Sequence, residues 1–196
     1  MTLEIPPGEF DALIFDCDGT LIDSMPLHLD AWRAALDEHG FPSAQFTDKM
    51  HHDYAGMPGP AIVRLVNEQF GTVLDPDNVE ASKLAWYLAN HVNVKPVQPV
   101  VDIALANAGK IPMAVASGSD AEIVKEGLRA IGILDLFQTV ITPVDVAKGK
   151  PAPDMFLLAA ERMGVAPEKC LVFEDGQLGI QAANAAGMAH VFVPTE

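Results

Sequence analysis

Five short apolar runs, at 12–15, 112–116, 139–141, 171–173 and 190–193, constrain this chain more than any other feature. Runs of this length and composition predict strands buried on both faces of a sheet. Helical stretches separate the later runs. The first, 119–130, opens with the capping-box pattern Ser119-x-x-Glu122; the second, 153–163, ends at Gly164; the third, 177–186, is closed by Gly187. Strand and helix in alternation predict a doubly wound α/β fold, a parallel sheet covered on both sides. Such sheets bind ligands outside the carboxyl ends of their strands, so any chemistry should gather where these runs stop.

Between 24 and 94 the pattern changes. Leu27, Trp32, Leu36, Ile62, Leu65, Val66, Leu84, Tyr87 and Leu88 recur at helical spacing, with no strand-like run among them. An all-helical insert is expected, bounded by Met25-Pro26 and by Lys95-Pro96-Val97-Gln98-Pro99, both of which suit hinges or linkers. The expected organisation is an α/β core from 1–23 and 95–196 with a helical cap, 24–94, over the carboxyl edge of the sheet. No internal repeat or low-complexity tract interrupts it.

The first apolar run ends in Phe15-Asp16-Cys17-Asp18-Gly19-Thr20. Two carboxylates two residues apart at the mouth of a buried strand can serve one pocket, one as nucleophile and the other as general acid and base. Gly19 permits the sharp turn out of the strand, and Thr20 can hydrogen-bond locally. Ser117-Gly118-Ser119 follows the second run, Lys150 opens Lys150-Pro151-Ala152-Pro153-Asp154, and Glu174-Asp175 follows Leu171-Val172-Phe173. Taken singly, these read as a helix-entry serine, a solvated loop lysine and a polar turn.

Asp16-x-Asp18-Gly19-Thr20 behind a hydrophobic strand resembles the first motif of haloacid dehalogenase-type phosphatases, and the other three segments follow in that family's order. The resemblance implies Asp16 as nucleophile, Asp18 as acid and base, and Ser117 and the following helix start as binders of phosphate oxygens, with Gly118 and Thr20 beside them. It implies Lys150 as the cation neutralising nucleophile and phosphate. Lys148 is the rival in Lys148-Gly149-Lys150, but Lys150 directly precedes Pro-Ala-Pro-Asp. Mg2+ is the implied cofactor, held by Asp16, Asp18 through its carbonyl, and Asp175, with Glu174 binding through water or orienting Asp175.

The run Asp23-Ser24-Met25-Pro26-Leu27-His28-x-x-x-Trp32 is similar to the beta-phosphoglucomutase group of the superfamily. Phe156-Leu157-Leu158 to Met163-Gly164-Val165, and Phe173-Glu174-Asp175 to Ala183, resemble its small sugar phosphatases, those acting on fructose 1-phosphate and 6-phosphogluconate. By that likeness His28 is a cap-hinge residue and Lys83 a cap lysine reaching the substrate; the plainer readings are a partly buried helix histidine and a solvated helix face. His51, His52 and Asp53 read as a polar loop, because adjacent histidines rarely point at one ion. A mutase also needs basic groups for a second phosphate. The turn Gly56-Met57-Pro58-Gly59 lacks the arginine that mutases carry there, and the cap has four basic residues against nine acids. Hydrolysis of small phosphate monoesters is therefore the expected reaction, with hexose-phosphate mutase the alternative and a catalytically silent ligand-binding protein the alternative from another class. Dehalogenases of this fold dispense with the second aspartate and the metal, so Asp18 and Asp175 speak against them. Gly149-Lys150 is not a nucleotide-binding P-loop, since Pro151 stands where Ser or Thr is required.

Composition agrees with a small-molecule enzyme. A net charge of −15 disfavours nucleic acid and anionic membrane as partners, and a repelled phosphate ester would need local cations or backbone N–H groups to draw it in. A small phosphorylated metabolite is the expected partner and a monomer the expected state. No stretch approaches the roughly 18 apolar residues of a membrane span, and residues 1–10 do not resemble a signal peptide. Cys17 and Cys170 read as buried hydrophobes, so no disulfide framework is expected and the cytoplasm is favoured.

Overall fold

The computed structural model describes residues 2–91 and 94–194. Positions 92–93, inside the expected cap edge, and the termini at 1 and 195–196 lie outside the described residues. Strand β1 (Ala12–Phe15) is followed by a two-residue strand, β2 (Ile22–Asp23), which pairs antiparallel with β3 (Lys95–Pro96). The remaining apolar runs are β4 (Met113–Ala116), β5 (Thr139–Ile141), β6 (Cys170–Glu174) and β7 (Ala189–Phe192), within a residue of their expected limits. They join β1 in one parallel sheet of order β5-β4-β1-β6-β7. The order reverses about β1, which places the ends of β1, β4 and β6 side by side at the position where such sheets bind ligands.

The period of two along each strand explains why these runs are apolar throughout. Leu13 and Phe15 face one core, where Phe15 stacks on Phe173 with centroids 4.9 Å apart; Ala12 and Ile14 face the other. Burying each large side chain contributes about 1.5–3 kcal/mol, offset by conformational entropy.

Among the described residues four α-helices lie between β2 and β3: α1 (Met25–Glu38), α2 (Asp48–Asp53), α3 (Gly59–Phe70) and α4 (Pro76–Asn90). Thr47 caps α2, and the Asp75 carboxylate accepts from the N–H groups of Asp77 and Asn78 at the start of α4. Their shared core contains Trp32, Leu36, Phe46, Val63, Val66 and Val79. No helix among the described residues is long and apolar enough to cross a membrane.

Helices α5 (Gln98–Asn107) and α6 (Ala121–Ala130) cover the Phe15 face of the sheet, and α7 (Asp154–Met163) and α8 (Gln177–Ala185) cover the other. The segment from Lys95 to Pro99 is not only a linker: it contains β3 and begins α5, because Pro99 occupies a first-turn position where its missing N–H costs no helical bond. Ser119 does not cap α6. Asp120 does, accepting from the Glu122 N–H at 2.8 Å, and the Ser119 hydroxyl is committed elsewhere.

Candidate active site

The backbone between β1 and β2 is tightly folded. Asp16 donates its N–H to the Phe173 carbonyl of β6, and the N–H groups of Leu21 and Ile22 both return to the Cys17 carbonyl at 2.9 Å. Gly19 has φ +84°, and a Cβ there would stand 2.2 Å from Asp175 Oδ2, so only glycine permits both this turn and the close approach of Asp175. The result carries Asp16 from the end of β1 and Asp175 from the end of β6 into one crevice, together with Ser117 and Gly118 beyond β4.

Lys150 is the hub. Its ammonium, with a fully buried side chain, donates to Asp16 Oδ1 at 2.6 Å and to Glu174 Oε2 at 2.7 Å; Lys148 is exposed. Glu174 Oε1 accepts from the Gly176 N–H at 3.0 Å, so both of its oxygens are engaged. Carboxylate oxygens of Asp16, Glu174 and Asp175 all lie within 4.8 Å of one another, the group among the described residues that could hold a metal. Burial and Glu174 push Asp16 up against the pull of Lys150, and burial and Glu174 raise Asp175 to about 7. Burial would lower Lys150, but Asp16 and Glu174 more than reverse this and hold it above its ordinary value. Three buried carboxylates around one ammonium leave an excess of oxygen ligands and negative charge, which is the donor set of a hard divalent cation.

Asp18 lines the same crevice but is held by a different set of partners. Its Oδ1 takes His28 Nε2 at 2.8 Å and the Ser24 hydroxyl at 2.6 Å; its Oδ2 accepts from the Ser119 hydroxyl at 2.7 Å. Burial would raise Asp18, but the His28 ring and the hydrogen bonds from His28, Ser119 and Ser24 hold it well below the usual carboxylate range. The sequence carries no signal for Ser24 in this role, and Ser119 matches a helix cap, with only its place beside Ser117 pointing toward the crevice.

Thr20 is fully buried behind the crevice and donates to Asp175 Oδ1 at 3.2 Å, so it supports a carboxylate and does not reach toward a phosphate. Gly118 lies under the insert: a Cβ on it would fall 2.4 Å from the Gly56 carbonyl oxygen. From the insert, His28 stacks on Tyr87 at 4.4 Å, and Lys83 is buried with its ammonium 5.3 Å from the Trp32 ring centroid and 3.7 Å from Glu80 Oε1. His51, His52 and Asp53 form the last turn of α2 rather than a loop; His51 lines the same crevice, whereas His52 and Asp53 are exposed, Asp53 pairing with Lys49 at 2.5 Å. Cys17 and Cys170 are free and buried, and burial first of all pushes both thiols up, Cys170 to about 11.

A parallel sheet whose strand ends gather four acids, a buried lysine and two serines beneath a helical insert defines a phosphate-handling hydrolase class. The chain belongs to the haloacid dehalogenase-like hydrolases, whose family model matches residues 10–187. It is 38% identical over 184 residues to the fructose-1-phosphate phosphatase YqaB of Escherichia coli, covering 94% of this chain and 96% of that one. It is 28% identical over 189 residues to the beta-phosphoglucomutase of Bacillus subtilis, covering 93% and 82% of the two chains. In fold it is similar to a hydrolase from Pseudomonas syringae, with a TM-score of 0.82, 24% identity, and coverage of 92% of this chain and 83% of the other. Phosphatases of this family generally use a divalent metal, and the buried acidic cluster fits one.

Proposed function

We propose that the chain hydrolyses monophosphate esters of small sugars or polyols with Mg2+, working as a core of 1–23 and 95–196 under a cap of 24–94. The observation that carries this reading is the meeting of Asp16, Lys150, Glu174 and Asp175 in one buried cluster beside a separately anchored Asp18. The likeness to YqaB supports the sugar phosphate class.

An oxygen of Asp16 attacks phosphorus while the ester bond to the sugar oxygen breaks. Asp18, ionised at rest, first takes up a proton and gives it to that leaving oxygen; it then takes a proton from water, which attacks the phosphorus of the aspartyl phosphate and returns Asp16 and free phosphate. Ser24, Ser119 and His28 fix the orientation of Asp18 through both steps. Lys150 screens nucleophile from phosphate, Glu174 holds Lys150, and Ser117 and the Gly118 backbone receive phosphate oxygens. Mg2+, held by Asp16, Asp175 and the Asp18 carbonyl, would supply further neutralisation of the phosphate charge.

A mutase would need a free basic group in the insert for a second phosphate. The crevice wall at Gly56, Met57 and Gly59 has none, and Lys83 is already committed beside Glu80 and Trp32. Free, buried cysteines fit a reducing cytoplasm, and a monomer is the working state. The test is phosphate release from a panel of phosphorylated metabolites with Mg2+ and after exhaustive chelation. Metal-dependent release from sugar or polyol monophosphates is expected. No release from any ester overturns the reading, and interconversion of hexose phosphates without free phosphate transfers it to the mutases.

A further inference from the structure

We propose that Glu80 is the residue through which the cap recognises its substrate, its carboxylate accepting a hydrogen bond from a hydroxyl of the sugar or polyol that carries the phosphate. This rests on the phosphatase reading above and names what the far end of the same crevice selects.

Glu80 lies on α4, one turn before Lys83, and lines the crevice with Trp32, His51 and Ile62. Its Oε1 stands 3.7 Å from Lys83 Nζ, beyond the length of a hydrogen bond. Its Oε2 is buried with no hydrogen-bond donor among the described residues. Buried polar atoms are almost always partnered, so a carboxylate oxygen without a donor at the edge of a ligand crevice has its partner to come. Lys83, drawn over the Trp32 ring, does not fill that need.

The carboxylate also sits in a space made for it. A Cβ at Gly59, the first residue of α3, would fall 1.8 Å from Oε2, although the backbone of Gly59 has no left-handed φ and is open to any residue. Glycine here clears room for Glu80 and not for a turn. Paired with Lys83 at 3.7 Å but with Oε2 still open, this carboxyl group offers an acceptor to a hydroxyl donor at this end of the crevice. The substrate class is therefore a hydroxyl-rich monophosphate.

The experiment measures kcat and KM for wild type, Glu80→Gln and Gly59→Ala on two esters: the polyol or sugar monophosphate that wild type turns over best, and p-nitrophenyl phosphate, which has no hydroxyl to offer. Gln keeps the size of the side chain, and Ala favours the helix at position 59. Both variants should raise KM for the hydroxylated ester about tenfold, equivalent to about 1.4 kcal/mol, with kcat/KM for p-nitrophenyl phosphate within about twofold of wild type. Equal losses on both esters would make Glu80 a support for Lys83 only and overturn the proposal. So would no change on either, or a wild type that cleaves p-nitrophenyl phosphate but no hydroxylated ester. A wild type inert toward every ester would instead remove the phosphatase reading itself.

Discussion

His28 Nε2 lies 2.8 Å from Asp18 Oδ1, so a residue of the first cap helix holds the carboxylate at the mouth of the first core strand. The ring is in turn clamped by Tyr87 of α4, stacked at 4.4 Å. Position of the cap and orientation of the acid are thereby one variable. His28→Asn should lower kcat on the order of a hundredfold, the scale of a misplaced catalytic group, while KM changes little. Steady-state kinetics on a sugar monophosphate checks this; a rise in KM at unchanged kcat would assign His28 to substrate binding instead.

Lys150 is the sole ammonium contacting Asp16 and Glu174 among the described ion pairs. Removing one partner of a buried ionic cluster leaves uncompensated charge and costs about 3–5 kcal/mol. Lys150→Met should thus lose that order of stability in urea unfolding as well as its activity. A variant as stable as wild type would show that the cluster is solvated and that the charge argument for this site fails.

His51 supplies a pH signature. Burial, then the neighbouring His28 and Lys83, lower it to about 4 from an ordinary 6.5. Between those values the unfolded chain binds a proton that the folded chain refuses, so stability is complete above pH 6.5 and falls as the pH drops toward 4. His51→Gln should lose less stability than wild type between pH 7 and pH 5, read as the shift in urea midpoint. Parallel curves for the two proteins would contradict the burial of a neutral His51.

Much of this was legible in the sequence because buried parallel strands leave a coarse mark: four or five apolar residues that end abruptly in Asp16, Ser117 or Glu174. The helices of the insert were legible as spacing, though not how their faces meet. What stayed hidden was short or relational. The β2–β3 ribbon has two residues per strand, too few for any period, and the prolines around α5 look like a linker until the helix is seen to begin beneath Pro99. Ser119 and Asp120 both suit a helix start, and only the reach of the Ser119 hydroxyl to Asp18 separates them. Thr20 reads as polar and available, yet the turn buries it against Asp175. Glu80 had no local signal, since its meaning comes from Gly59, twenty-one residues away.

The central claim is that Asp16 forms the bond to phosphorus. Phosphate release by Asp16→Asn, measured with Mg2+ on the best sugar monophosphate beside a folded wild type, tests it most directly. The account predicts turnover below detection with the fold intact by circular dichroism; metal-dependent release near the wild-type rate would contradict it.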